Sequence, residues 1–250
     1  MSIRRTALGG LMALATAGAL RAELPDVRGA AVPVRVMVIG DSLSVGPFGK
    51  TLEAALKRRY GPRGYCLFAS CGSSPEDWLR GEPVFTTNCG YRQSTPGGSL
   101  AYEYSNGRRP RPVKTPKLPE ILRRYQPEVV IVQLGTNWMT KLAAESHPDG
   151  AAYRRIIREF VRQLRGGRGT PPHVVWVMPP SSSKYPARVH EEVEDWIADS
   201  GRSLGFGTIN SRRITGPYRK GGTGGDGVHF SDDAGAAWAR GVVDALSRSR

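Results

Sequence analysis

The sequence predicts a three-layer α/β/α sandwich around a central parallel sheet. Short β-branched runs alternate with segments whose apolar residues recur at helical spacing, in units of roughly thirty to fifty residues. No internal repeat or second apolar core is visible, so residues 34–250 are predicted to form one domain. The predicted strands are Val34–Ile39, Gly64–Ser70, Val129–Leu134, Val174–Met178 and Gly207–Asn210, and the predicted helices are Val45–Tyr60, Leu118–Tyr125, Ala151–Leu164, Pro186–Leu204 and Ser231–Ser247.

A long polar, aromatic and glycine-rich stretch, residues 73–117, follows the second predicted strand. It has no clear periodicity and is too long for an ordinary connection, which predicts an insertion that caps or lines a site. Its aromatic residues either stack on sugar rings or form a small core of the insertion; they are Trp78, Phe85, Tyr91, Tyr102 and Tyr104.

The amino terminus has the layout of a secretory signal peptide. A basic start is followed by an apolar run, and Ala17-Gly18-Ala19 offers a cleavage site, with Ala22 as a later alternative. Residues 1–19 are therefore predicted to be removed, and residues 20–33 to form an irregular lead-in. The Arg4-Arg5 pair leaves twin-arginine export open beside the general route. We expect a periplasmic or secreted protein with no transmembrane anchor after cleavage, because no later apolar run is long enough.

The formal net charge is +14, with 36 Lys and Arg against 22 Asp and Glu. A surface of this kind attracts polyanions, but no nucleic-acid-binding motif accompanies it, so nucleic acid is not the expected partner. The sequence contains no CxxC pair and no histidine cluster, so no metal site is predicted. The stretch Gly222–Gly227 formally matches GxGxxG, but no firm strand precedes it, so no cofactor is expected.

The chain has three cysteines, which in an exported protein allow one disulfide and one free thiol. Cys66 lies in an apolar segment typical of a buried strand. Cys71 and Cys89 lie in loop-like sequence and are the better pair, while three free thiols remain the alternative.

Three apolar strands end in small or polar residues. They are followed by Gly40-Asp41-Ser42, Cys71-Gly72 and Gly135-Thr136-Asn137, which share one edge of a parallel sheet. Ser42 is the candidate nucleophile, and Asp41 is interpreted as a structural residue of the turn. In Asp226-Gly227-Val228-His229, a carboxylate three residues before an imidazole can orient it as a base.

These four blocks resemble those of the SGNH/GDSL hydrolases, in the same order and over nearly the whole chain after the signal. The resemblance implies a flavodoxin-like α/β fold, a catalytic triad of Ser42, His229 and Asp226, and an oxyanion hole formed by Ser42, Gly72 and Asn137. One residue departs from the family pattern, because Trp138 stands where the third block usually has aspartate. Trp138 is predicted to contact substrate.

The sequence therefore predicts an exported serine esterase that removes acyl groups, above all O-acetyl groups, from a carbohydrate or cell-wall polymer. The expected substrate is an acylated small molecule or a polysaccharide, which the basic surface suggests is anionic. A lipase, a thioesterase or an acyltransferase would use the same residues. A non-catalytic polysaccharide-binding protein on this fold is the remaining alternative, and the oligomeric state is not predicted.

Overall fold

The computed structural model describes residues 30–103, 108–145, 148–166 and 170–248. The predicted signal peptide and most of the lead-in lie outside this part, as does Tyr104. The strands, in chain order, are β1 (Val36–Gly40), β2 (Tyr65–Ser70), β3 (Thr86–Thr87), β4 (Gly90–Thr95), β5 (Gly98–Glu103), β6 (Val113–Lys114), β7 (Val129–Gln133), β8 (His173–Val177) and β9 (Gly207–Ile209). The helices are α1 (Ser42–Val45), α2 (Pro47–Tyr60), α3 (Leu118–Tyr125), α4 (Thr136–Leu142), α5 (Gly150–Arg165), α6 (Ala187–Leu204), α7 (Ser211–Thr215) and α8 (Asp232–Arg248).

The predicted fold class is confirmed by a seven-stranded sheet with helices on both faces. The strand order is β5-β4-β2-β1-β7-β8-β9, and β2, β1, β7, β8 and β9 run parallel. One apolar core joins the sheet to α3, α5 and α6, and the other joins it to α2 and α8. Strands buried on both faces need continuous apolar runs, which is what the sequence supplies.

The first predicted helix is divided in the structure. Gly46 is extended, and Pro47 at the first helical position begins α2, so residues 42–45 form a separate short helix, α1. Helix α2 ends at Tyr60 and is followed by the cap residue Gly61, whose φ of 72° only glycine adopts readily. The division places Ser42 at the start of its own turn.

Residues 73–117 are more regular than predicted, and they make the sheet mixed rather than wholly parallel. Strands β4 and β5 form a hairpin that pairs antiparallel with β2 at the sheet edge. Neither strand has the apolar alternation that predicts a strand. Strand β5 is largely exposed, and in β4 polar side chains are paired, since the Tyr91 hydroxyl donates to Gln93 and Arg92 pairs with Glu53. Strands β3 and β6 form a separate two-stranded sheet.

The insertion is fastened to the end of β2. The structure joins Cys71 to Cys89, the pairing that the sequence favours, and Cys66 is a free, buried thiol. Trp78 and Tyr91 are fully buried, so these two aromatic residues belong to a core and do not stack on sugars. None of the described helices is long and apolar enough to span a bilayer.

Candidate active site

The strand register brings the predicted site residues to one edge of the sheet. Gly40, at the end of β1, lies opposite Ala69 of β2 and Gln133 of β7. Ser42 comes two residues after Gly40, Gly72 comes shortly after the end of β2, and Asn137 comes shortly after the end of β7. All three positions therefore lie at the carboxyl edge, where open α/β sheets bind ligands.

Local hydrogen bonds fix the turn that carries Ser42. Asp41 caps α1, because its Oδ1 accepts a 3.0 Å hydrogen bond from the Leu43 N–H. One residue beyond, the Ser44 hydroxyl donates to Gln133 Oε1 at 2.7 Å and ties the turn to β7. A Cβ on Gly40 would lie 2.2 Å from Ser44 Oγ, so this close approach requires glycine.

His229 lies between Ser42 and Asp226. Its Nδ1 lies 2.5 Å from Asp226 Oδ2, and its Nε2 lies 2.9 Å from Ser42 Oγ. Because an ionised carboxylate only accepts, Nδ1 carries the proton and Nε2 accepts from the serine hydroxyl. This is the geometry in which an imidazole can remove the hydroxyl proton.

The Asp226 carboxylate is held in its charged form. Burial acts to raise the pKa of Asp226, but the bond from the His229 ring and those from the backbone N–H groups of His229 and Val228 outweigh it and lower the pKa to about 2. Both side chains are about half exposed, 50% for His229 and 56% for Asp226, so substrate can reach them.

The 226–229 loop is supported by residues that the sequence analysis missed. The Tyr218 hydroxyl donates to the His229 carbonyl at 2.9 Å and accepts from the Gly227 N–H at 3.2 Å. On the other side, the Gly227 carbonyl accepts from Ser182 Oγ at 2.6 Å and from the Ser183 N–H at 3.0 Å. No motif marks these residues, since their contacts are set by the tertiary fold.

The glycine-rich stretch before Asp226 supports the same loop. A Cβ on Gly224 would lie 2.0 Å from the His229 carbonyl oxygen, so only glycine allows the two backbones to approach. The close approach to His229 explains why a glycine stands at this position of the GxGxxG match. Dinucleotide binding is not needed to explain it.

Three donors lie near the sheet edge. Among the described residues, the backbone N–H groups of Ser42 and Gly72 have no hydrogen-bond acceptor. Asn137 Nδ2 donates to the Ser73 carbonyl at 2.8 Å, and its second hydrogen remains to donate elsewhere. The φ of Gly72 is 83°, a conformation that glycine adopts readily.

Phe85, one of the aromatic residues of the inserted segment, lies next to Gly72. A Cβ placed on Gly72 would lie 3.5 Å from Phe85 Cζ, and Phe85 is partly exposed. The ring therefore offers an apolar surface beside Gly72, within the inserted segment.

Asp41, which precedes the candidate nucleophile Ser42, is fully buried. Burial raises the pKa of Asp41 to about 6, against the opposing influence of the Leu43 N–H, Gln133, Thr136 and His229. Its Oδ2 has no hydrogen-bond partner in the described part of the chain. The environment therefore disfavours the charged carboxylate, in contrast to that of Asp226.

The predicted substrate contact through Trp138 is wrong. Its side chain is 0% exposed, its Nε1 donates to Glu76 Oε2 at 2.8 Å, and its ring packs edge-on against Tyr153. Trp138 instead fastens α4 to the inserted segment. Within the described ranges, no group of three His, Cys, Asp or Glu side chains could hold a metal ion.

No protein-family model and no curated protein matches this sequence. Solved structures do match its fold, among them three that each have a TM-score of 0.54. A peptidoglycan O-acetylesterase is 14% identical and covers 89% of this chain and 93% of its own. A carbohydrate acetylesterase family member from Sinorhizobium meliloti is 15% identical, with 85% and 97% covered. The aryl esterase of M. smegmatis is 15% identical, with 86% and 99% covered. At these identities the likeness establishes a shared fold.

Proposed function

We propose that this chain, which has the fold of the SGNH/GDSL hydrolases, is an exported serine esterase that uses Ser42, His229 and Asp226 as its catalytic triad. The observation that carries the proposal is the continuous line of hydrogen bonds from Ser42 Oγ through the His229 ring to Asp226. A non-catalytic binding protein would not need a serine aligned on an imidazole that is itself held by a carboxylate.

In the proposed reaction, His229 Nε2 takes the Ser42 proton as Oγ attacks the ester carbonyl. The tetrahedral intermediate then collapses, and the alcohol leaves with the proton that His229 held. Water attacks the acyl-enzyme with His229 again as base, which releases the carboxylic acid and restores Ser42. Asp226 remains ionised throughout and stabilises the imidazolium, which agrees with its lowered pKa.

The oxyanion of each tetrahedral intermediate is assigned to the N–H groups of Ser42 and Gly72 and to the Asn137 side chain. Two of these donors have no acceptor among the described residues, and the third has a hydrogen to spare. Such a donor contributes about 10²–10³-fold to kcat, so we expect Asn137→Ala to lower kcat by that factor.

For the substrate we propose O-acetyl esters on a carbohydrate or cell-wall polymer. Two of the structures with this fold are named as acetylesterases, one of peptidoglycan and one of the carbohydrate acetylesterase family. The net charge of +14 favours a polymer that carries negative charge. Residues 1–19 support export, and a disulfide is typical of the oxidising compartments that export reaches.

The test is covalent labelling of the purified protein with a fluorophosphonate probe, together with hydrolysis of p-nitrophenyl acetate. We expect both in the wild type and neither in Ser42→Ala, with Ser203→Ala as the matched control because Ser203 is exposed on α6 and its hydroxyl donates to the Ser200 carbonyl of the same helix. A folded wild-type protein that neither labels nor hydrolyses the ester would refute the esterase. Transfer of acetyl to an added sugar in preference to water would instead indicate an acyltransferase.

A further inference from the structure

An open cavity lies on the same edge of the sheet as the candidate active site, at the carboxyl ends of β8 and β9. Its volume is about 460 Å³, and its lining includes Ser181, which follows β8, and Asn210, which follows β9. Strands β8 and β9 are the second and third from β1 in the sheet order. At about 4.8 Å per strand, the cavity is roughly 10–15 Å from the strand that leads to Ser42.

The walls of the cavity continue directly into the supports of the 226–229 loop. Ser181 precedes Ser182, whose hydroxyl donates to the Gly227 carbonyl. On the opposite wall, Pro217 precedes Tyr218, whose hydroxyl donates to the His229 carbonyl. A group bound in the cavity would therefore contact residues that adjoin, in sequence, the two side chains that support the 226–229 loop.

The side chains of the cavity include one acceptor that is buried and unused. Glu194 Oε2 lies 3.4 Å from both Asn210 Nδ2 and Arg212 Nη1, whereas Glu194 Oε1 is buried without a partner in the described residues. Burial raises the pKa of Glu194, which Arg212 and Asn210 only partly oppose. A buried acceptor without a donor is unfavourable unless a ligand supplies one.

Arg213 lies at the same cavity and is exposed. Its backbone N–H donates to Asn210 Oδ1, the cap of α7, but its guanidinium forms no ion pair with any residue that the structure describes. The cavity thus combines a carboxylate acceptor, an amide, a serine hydroxyl and a free cation. Sugar hydroxyls both donate and accept, and a guanidinium binds a carboxylate in bidentate fashion.

We propose that this cavity binds one uronic-acid-type sugar residue of an acidic polysaccharide, while another residue of the same chain presents its ester to Ser42. Glu194 accepts from sugar hydroxyls, and Arg213 pairs with the sugar carboxylate. The volume lies within the range of small-molecule sites. This inference rests on the proposed esterase and narrows its substrate to oligomers and polymers that reach from Ser42 to the cavity.

The test compares p-nitrophenyl acetate with acetylated oligogalacturonates of increasing length. Arg213→Ala and Glu194→Gln should each raise KM for the longer oligomers about tenfold, while kcat/KM for p-nitrophenyl acetate and the thermal unfolding midpoint stay the same. Arg123→Ala is the matched control, since it removes the same charge from an exposed position on α3. Wild-type KM should fall once the oligomer is long enough to reach the cavity.

The inference would be overturned if neither variant changed KM for the longer oligomers. It would also be overturned if the variants lost as much kcat/KM on p-nitrophenyl acetate as on the oligomers. Acetylated xylo-oligosaccharides carry no carboxylate on their backbone. If Arg213→Ala raised KM for them as much as for the oligogalacturonates, the proposed preference for an acidic sugar would be overturned. Calorimetric titration of Ser42→Ala with deacetylated oligogalacturonates tests the cavity without catalysis. Saturable binding that Arg213→Ala weakens would support the cavity even if the wild type hydrolysed no ester, and absence of binding would refute it.

Discussion

The Tyr218 hydroxyl donates a 2.9 Å hydrogen bond to the carbonyl oxygen of His229, the residue that contacts Ser42. The same hydroxyl accepts from the Gly227 N–H, so one side chain satisfies two backbone groups of the 226–229 loop. Tyr218 is itself largely buried and packs edge-on against Phe230. The position of the imidazole therefore depends on a side chain whose hydroxyl bonds the backbone of this loop.

Tyr218→Phe removes this hydroxyl and leaves both backbone groups without it. We expect kcat on p-nitrophenyl acetate to fall about tenfold to a hundredfold, because small misplacement of a catalytic group is costly, with KM nearly unchanged. Tyr65→Phe is the control, since its hydroxyl bonds Glu53 away from the site. Equal effects of the two variants on kcat would contradict a positioning role.

Asp226→Asn should lower kcat by about 10³–10⁴-fold, the loss known when the carboxylate of such a triad becomes an amide. An amide can donate to Nδ1 and so favours the imidazole tautomer that cannot accept the Ser42 proton. The variant should unfold within a few degrees of the wild type, because the carboxylate is half exposed. Rate measurements with a circular-dichroism melt check both statements, and a loss below tenfold would argue against the triad.

The raised pKa of Asp41 predicts how its stability contribution changes with pH. The folded pKa is about 6 against an ordinary value of 3.8, so the folded state binds the proton more tightly and the free energy of unfolding falls as pH rises from about 4 to 6. The loss is about 3 kcal/mol at most and is constant above that window. Asp41→Asn, which keeps a capping oxygen, has no such loss.

Urea unfolding of the wild type and Asp41→Asn at several pH values checks this prediction. The stability of the variant relative to the wild type should rise by about 2 kcal/mol between pH 4 and pH 7, because the unfolded carboxyl is already partly ionised at pH 4. Other titrating groups cancel in the difference between the two proteins. A difference independent of pH would show that Asp41 does not titrate in this range.

The Cys71–Cys89 disulfide should affect both stability and activity. The bridge spans 18 residues and contributes about 3 kcal/mol by the loop-entropy estimate. It also holds the backbone at Gly72, and Cys89 Sγ would lie 3.9 Å from a Cβ placed there. We expect Cys71→Ser with Cys89→Ser to lower stability by that amount and kcat by about tenfold, less than the full loss of an oxyanion donor.

Reduction with a phosphine in the folded protein should reproduce the fall in kcat. Cys66→Ala provides the control, because Cys66 is a free thiol buried in the sheet and its loss should leave the sensitivity to reductant unchanged. If complete reduction left the wild-type kcat unchanged, the disulfide would not be needed to position the proposed oxyanion donors.

Strand ends and the order of motifs were the parts of the site that could be predicted from sequence. Apolar runs locate β1, β2 and β7, and once those strands are parallel, Ser42, Gly72 and Asn137 must share an edge. Asp226 and His229 are close in sequence, so their contact needs only a local turn. Local sequence patterns are sufficient to predict the structure where it depends on buried apolar runs or on residues close together in the sequence.

The remainder depends on contacts that no local pattern encodes. The sequence does not predict β4 because its polar side chains Arg92 and Ser94 pair with Glu53 of α2 rather than with apolar groups. It does not predict β5 because that strand is largely exposed at the sheet edge and has no apolar alternation. Trp138 was assigned to substrate because it follows Asn137, yet the helical turn of α4 directs it into the core. Tyr218 is distant from Ser42 in sequence and gave no signal.

The stacking of Phe48 on Trp238, with ring centroids 3.8 Å apart, brings helices from opposite ends of the chain together. Ser42 and His229 are 187 residues apart and lie next to these two helices, so the proposed reaction centre forms only after the last helix has docked. Recovery of esterase activity would then report completed folding, and a chain that ends before α8 would be inert even with Ser42 and His229 present.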